Sequence, residues 1–180
     1  MEKWKTLSSE YLYRRPWLTA RRDVVELPNG QIHPEYYILE YPTWVNIIAI
    51  TEDGKYVMVR QYRHGLADIF IELCAGVVED GEDPMDGARR ELEEETGYTG
   101  GRWSLQCVLS PNASSNTNLN YCFLAEGVAK TTDQHLDRTE DIEIVLLDRE
   151  EVYALLQADQ IKQALMAAPL WRHFALTGGC

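Results

Sequence analysis

The chain has 180 residues, of which 45% are hydrophobic and 26% are charged, so it suits one domain with a sizeable core. Its net charge of −12 argues against a nucleic-acid partner, because no basic stripe is available to neutralise phosphates. The sequence has no run of about 18 apolar residues and no apolar signal core at its start, so we predict a cytoplasmic protein without membrane spans.

Residues 1–42 are predicted to form strands that precede a main domain at 43–180. Within residues 18–41, polar and apolar residues alternate on both sides of a Pro-Asn-Gly turn at 28–30. Asn-Gly is the strongest short signal for a β-hairpin. Two core strands, WVNIIAI and YVMVRQY, follow on either side of a Glu-Asp-Gly turn at 52–54, and the apolar segment IFIELCAG comes after them.

A helix is predicted from Asp83 to Thr96, because this segment has a start signal and a stop signal. Asp83 can cap the helix, Pro84 suits its first turn, and Gly97 can take the left-handed conformation after its end. Further strands are expected near 102–109, 118–125 and 142–147, with helices at 149–157 and 160–168 that end at Pro169. Strands on both sides of one central helix, with helices at the end, predict an α/β sandwich with a mixed sheet.

Three carboxylates, those of Glu91, Glu94 and Glu95, are predicted to share one face of the central helix near its negative end. Like charges placed in this way destabilise a helix by about 0.2–0.5 kcal/mol per pair. A divalent cation would reverse that effect, and sites made only of oxygen ligands suit Mg²⁺ or Mn²⁺. The alternative interpretation is a solvated acidic face. The four cysteines and four histidines show no ligand spacing, so we expect reduced thiols and surface imidazoles.

The segment from Gly76 to Tyr98 reads GVVEDGEDPMDGARRELEEETGY and resembles the signature box of the Nudix hydrolases. The resemblance rests on the spacing of Gly76, Glu82 and Arg90 and on the glutamates that follow. Tyr98 stands where the family usually has an aliphatic residue. The resemblance implies an α/β/α sandwich and a metal-dependent hydrolase of nucleoside diphosphates linked to another group.

Three further segments resemble the ADP-ribose and ADP-sugar pyrophosphatases of that family, namely 61–63, 72–76 and the Ser-Pro pair that ends at Pro111. Two departures are Cys74, where that subfamily usually has proline, and Asn112, where it often has glycine. The expected reaction is hydrolysis of ADP-ribose or a related nucleoside diphosphate sugar to AMP and a sugar phosphate. The alternatives are another substrate, such as GDP-mannose or a dinucleoside polyphosphate, and a nucleotide-sensing domain without turnover.

The resemblance implies roles for individual residues. Glu91 and Glu95 would be metal ligands, with Glu94 close by and the carbonyl of Ala75 completing a site. Arg90 would orient a glutamate rather than contact substrate. Glu140 would be the general base for the attacking water, with Asp141 and Glu143 as the other candidates; the alternative is a loop acid without a role. Substrate contacts would come from Arg63, Glu72 and Pro111; the alternative for Arg63 is a surface ion-pair residue.

The N-terminal hairpin is expected to form a homodimer, which the pyrophosphatase resemblance also implies. The same resemblance implies aromatic residues that stack on the nucleotide base, and Trp17 and Tyr36, on either side of the predicted turn, lie near the corresponding positions. The alternative is that these rings pack only at a sheet or dimer interface.

Overall fold

A computed structural model describes residues 1–15 and 17–178 of the protein. The strands are β1 Lys5–Arg15, β2 Leu18–Glu26, β3 Ile32–Glu40, β4 Trp44–Thr51, β5 Tyr56–Arg63, β6 Asp68–Val77, β7 Tyr98–Leu109, β8 Asn120–Lys130 and β9 Ile142–Leu147, and the helices are α1 Pro84–Thr96, α2 Arg149–Gln157 and α3 Ala164–Leu176. Within the described ranges, no helix is long and apolar enough to cross a membrane.

The chain divides into two compact units, one of Met1–Pro42 with Ser110–Leu119 and one of Thr43–Leu109 with Asn120–Cys180. The first unit is an antiparallel sheet in the order β1-β2-β3, so the predicted hairpin is confirmed as β2 and β3. Residues 110–119 join this unit because Leu39 in β3 donates its N–H to the Ser115 carbonyl at 2.8 Å.

Strand β1 extends this sheet by one strand that the sequence did not predict. All of its residues are exposed, and its register with β2 shifts between Thr6 and Ser8 and again between Tyr11 and Tyr13. The sequence KTLSSEYLYRR has no regular alternation of polar and apolar residues, and neither face of the strand is buried by the described residues.

The second unit contains a six-stranded mixed sheet in the order β7-β8-β4-β6-β5-β9. Only the pairing of β4 with β8 is parallel among the described strands. Helix α1 contributes Ala88 and Leu92 to the core on one face, and α2 and α3 contribute Leu156 and Phe174 to the core on the other. The predicted α/β/α sandwich with a mixed sheet is confirmed.

The prediction of a helix over 160–168 that ends at Pro169 is wrong. Helix α3 begins at Ala164 and contains Pro169, which has no N–H to donate to the carbonyl four residues earlier. That carbonyl belongs to Leu165, and it accepts a hydrogen bond of 2.6 Å from the side-chain amide of Asn46 in β4. A residue distant in sequence therefore supplies the bond that proline cannot make.

Candidate active site

Helix α1 begins and ends where its sequence predicts. The Asp83 side chain accepts the N–H of Met85 at 2.9 Å, and Gly97 follows the helix with a φ of 72°. Glu91 and Glu95 lie on the side of α1 that faces β6. The start and end of the helix therefore determine which residues of β6 these two carboxylates approach.

Arg90 lies at the centre of the carboxylate cluster. Its Nε and Nη2 donate to the two oxygens of Glu82, each at 3.1 Å, and Nη2 also donates to the Val77 carbonyl at 2.8 Å. Its Nη1 donates to Glu91 at 2.9 Å and to Glu94 at 3.0 Å. These bonds raise the pKa of Arg90, and the bond from Arg90 lowers the pKa of Glu82. The guanidinium thus orients three glutamates, including Glu82, to which the sequence analysis gave no role.

Glu91 is held against the end of β6. Its Oε1 accepts the N–H of Val77 at 3.1 Å in addition to the bond from Arg90. Gly76 has no side chain in the space that the Glu91 carboxylate occupies. Burial raises the pKa of Glu91, and the bond from Arg90 only partly offsets this effect. The carboxylate can lie so close to the strand because glycine has no Cβ.

Glu95 is the most deeply buried of the three predicted metal ligands, with 4% of its surface exposed. Its Oε2 accepts the N–H of Ala75 at 3.1 Å. Burial raises the pKa of Glu95 to about 7, while hydrogen bonds from the Cys74 thiol and the Ala75 N–H act in the opposite direction. The negative charges of Glu91 and Glu140 raise it further.

The predicted substrate residues Arg63 and Glu72 bind each other. Arg63 Nε donates to Glu72 Oε2 at 2.9 Å, and Nη2 lies 2.7 Å from the same oxygen. Glu72 is buried, whereas 42% of the Arg63 side chain is exposed. An ion pair is therefore present, as the alternative interpretation held.

The late carboxylates differ in their positions. Glu140 is exposed in the loop before β9, and its carboxylate accepts the N–H of Asp137 at 2.8 Å. Glu143 bonds Arg60 at 3.0 Å. Its neighbours Ile142 and Ile144 pack in the core on the α1 face, so Glu143 points to the opposite face of the sheet. The structure thus contradicts Glu143 as a candidate base.

The remaining predicted site residues, Trp17, Tyr36 and Pro111, belong to the first unit. Trp17 is 82% exposed, and Pro111 is half-buried. The hydroxyl of Tyr36 donates to the Ser114 carbonyl at 2.6 Å, and its ring meets that of Trp4 edge to face at 5.8 Å. The sequence analysis did not identify Trp4, which lies before any strand signal.

A bound divalent cation needs several oxygen donors that face one point. In residues 1–15 and 17–178, no three acidic, cysteine or histidine side chains are placed to hold one as they stand. Glu91 and Glu94 turn to Arg90, and Glu95 turns to the Ala75 N–H. Buried carboxylates beside a strand end nevertheless supply oxygen donors of the kind that Mg²⁺ and Mn²⁺ prefer. The chemistry of this donor set therefore fits a divalent cation.

Comparisons with known proteins agree with this geometry. Residues 40–168 match the family model of the NUDIX domain, and residues 4–39 match that of the nucleoside diphosphate sugar hydrolase N-terminal domain. The chain is 31% identical to an ADP-ribose pyrophosphatase of Bacillus subtilis, over 91% of this chain and 88% of that protein. It is 35% identical to a methanol dehydrogenase activator of Bacillus methanolicus, over 87% and 85% of the two chains. The crystal structure of an ADP compounds hydrolase has the same fold, with a TM-score of 0.85, 22% identity and coverage of 100% and 98%.

Proposed function

Because the chain belongs to the Nudix hydrolase family, we propose that it hydrolyses ADP-ribose or a related nucleoside diphosphate sugar to AMP and a sugar phosphate, with Mg²⁺ as cofactor. The observation that carries this proposal is the cluster in which Arg90 orients Glu82, Glu91 and Glu94 beside Glu95. Two relatives named ADP-ribose pyrophosphatase, at 31% and 34% identity, favour this substrate over GDP-mannose or a dinucleoside polyphosphate.

The carboxylates of Glu91, Glu94 and Glu95 and the Ala75 carbonyl are the groups that would hold the metal. When bound, a divalent cation neutralises diphosphate charge and lowers the pKa of a coordinated water. The role of Arg90 is to keep two of these carboxylates on the β6 side of the helix. Divalent cations are general in this family; Mg²⁺ rather than Mn²⁺ is our proposal.

Glu140 is the proposed general base. It takes a proton from the water that attacks one phosphorus, the bond from that phosphorus to the bridging oxygen breaks, and two monophosphates leave. Its exposed carboxylate supports this role, and so does its place in the loop whose Gln134 side chain bonds the Glu95 carbonyl at the end of α1. A positioned base contributes typically about 10²–10⁴-fold to a rate.

Arg63 is the proposed contact to the diphosphate, held in place by the buried Glu72. A planar guanidinium that is already fixed by a carboxylate loses little freedom when it binds a phosphate oxygen. Pro111, which is half-buried near the start of its loop, is proposed to shape the sugar side of the site.

The N-terminal sheet is proposed to form a homodimer that completes the nucleotide site of the partner. Strand β1 is exposed along its whole length, and it carries the apolar side chains of Leu7, Leu12 and Tyr13. A twofold partner is the commonest way to cover such a surface. Trp17 and Tyr36 are the proposed contacts to the base, and Trp4 joins them because it packs against Tyr36.

We also propose that the enzyme is cytoplasmic, since Cys74, Cys107 and Cys122 are free thiols. Cys180, which is expected to be reduced as well, lies outside the described residues.

The test is a product analysis with ADP-ribose, ADP-glucose, GDP-mannose, NADH and diadenosine polyphosphates in the presence of Mg²⁺. We expect ADP-ribose to give AMP and ribose 5-phosphate, with ¹⁸O from labelled water in only one of the two products. Release of inorganic phosphate would reject this substrate class. Binding of ADP-ribose without turnover would favour the sensing domain instead.

A further inference from the structure

The carboxyl end of α1 is capped by the loop of residues 131–141, which connects β8 to β9. The last carbonyls of a helix have no partner within it, and the described helix α1 has no basic residue in its last turn. The loop lies against this end: the N–H groups of Thr131 and Thr132 donate to the carbonyl of Gly97, which follows the helix, at 2.9 and 3.2 Å. The His135 N–H donates to the Glu94 carbonyl at 2.8 Å.

Gln134 adds a side-chain bond that joins two elements. Its Nε2 donates to the carbonyl of Glu95, at the end of α1, at 2.7 Å, and to the carbonyl of Ile142, at the start of β9, at 3.2 Å. Both partners are acceptors, so only the amide nitrogen can face them. The Gln134 amide therefore connects the end of the helix that carries the cluster to the strand that follows the loop.

The two halves of this loop are held differently. In the first half, Leu136 packs against the core on the α1 face, and a Cβ on Gly97 would overlap the Thr132 carbonyl. In the second half, the described contacts are local: Glu140 donates its N–H to the Asp137 carbonyl at 2.9 Å, and its carboxylate accepts the Asp137 N–H at 2.8 Å. These bonds shape a turn but do not connect it to the helix.

We propose that Gln134 is a positioning residue for the hydrolysis, which holds the loop so that Glu140 lies beside the carboxylates of α1. Glu140 stands only two residues before Ile142, so the bond from Gln134 to the Ile142 carbonyl limits the movement of the base relative to Glu95. The inference rests on the proposed function, because it needs Glu140 to act on the attacking water.

The activity test uses Gln134→Met, which keeps the length of the side chain and removes both donors. We expect kcat for ADP-ribose to fall roughly 10- to 100-fold, since small misplacements of a catalytic group have effects of this size. KM should change much less. Gln134→Glu, whose side chain has the same shape but no N–H, should lower kcat to a similar extent. The matched control is Gln157→Met, at an exposed position at the end of α2, which should keep wild-type kcat.

A double-mutant cycle distinguishes positioning from a general loss of structure. If Gln134 acts through Glu140, then Gln134→Met should cause little further loss of kcat in a Glu140→Gln background. Losses that multiply in the double variant would overturn the inference. Full activity of Glu140→Gln would refute the assignment of Glu140 as the general base, and with it the inference.

A second readout does not depend on activity. Arg138 is exposed in the loop, so the rate of tryptic cleavage after it reports on opening of the segment. Cleavage should be faster in Gln134→Met than in wild type and Gln157→Met. An unchanged rate would overturn the inference, and so would faster cleavage with an unchanged kcat.

If ADP-ribose proves not to be a substrate, the proposed function fails, and the cleavage rates still decide whether Gln134 holds the loop.

Discussion

The carboxylate of Glu91 on α1 occupies the space in which any residue larger than glycine would place its Cβ at position 76 on β6. The same carboxylate is bonded by the Val77 N–H and by Arg90. Its position is thus determined from the strand and from the helix, and the carboxylate can occupy this position only if residue 76 has no side chain.

Gly76→Ala should therefore displace Glu91 and lower kcat for ADP-ribose by at least about 10-fold, because a metal ligand is moved from its place. The fold should persist, since the carboxylate can rotate away. Gly65→Ala is the control: an added Cβ at that exposed turn meets nothing within 4 Å. Equal activity of the two variants would show that the position of Glu91 does not matter.

Glu95→Gln should lower kcat by at least about 100-fold, because the loss of a metal ligand removes stabilisation of transition-state charge. The Ala75 N–H keeps its acceptor, and a buried charge disappears, so the metal-free variant should melt at a slightly higher temperature than wild type. Glu93→Gln, an exposed change on the same helix, is the control. Near-normal turnover of folded Glu95→Gln with saturating Mg²⁺ would refute the assignment.

Trp17→Ala should raise KM for ADP-ribose roughly 5- to 150-fold, from the loss of about 1–3 kcal/mol of base stacking, with a smaller change in kcat. Trp17→Phe, which keeps a ring, should have a KM between those of Trp17→Ala and wild type. Light scattering at micromolar concentration should show a dimer in all three proteins. A monomer, or an unchanged KM, would remove the basis for a base contact from the N-terminal sheet.

His173 should make the protein less stable as the pH falls below neutrality. Contrary to the expected surface position, it is buried in α3 and bonded to the Tyr56 hydroxyl at 2.8 Å. Burial, followed by the charge of Arg149, lowers its pKa from the ordinary value of 6.5. The unfolded chain then takes up the proton first, so the stability that neutral His173 provides is present above pH 6.5 and decreases as the pH falls toward its folded pKa.

The check is the midpoint of urea unfolding of wild type and His173→Phe between pH 8 and pH 5. The urea midpoint of the wild type minus that of His173→Phe should decrease as the pH falls. A difference that stays constant with pH would show that His173 does not titrate differently in the folded protein.

Helix α1 and the hairpin of β2 and β3 follow from the sequence alone, because their signals lie within a few residues of the structure that they specify. Asp83, Pro84 and Gly97 define the helix, and its spacing puts three glutamates on one side. The same local pattern, matched over 23 contiguous residues from Gly76 to Tyr98, identified the family.

The remaining features depend on partners that are distant in the chain. Pro169 lies inside α3 because Asn46 bonds the carbonyl that it leaves unpaired, and β1 forms although its sequence has no apolar alternation. Glu143 was a candidate base until the register of β9 directed it away from α1. Hydrogen bonds and burial between residues far apart in sequence decide these positions, and neither spacing nor composition encodes which distant side chain will supply the missing donor.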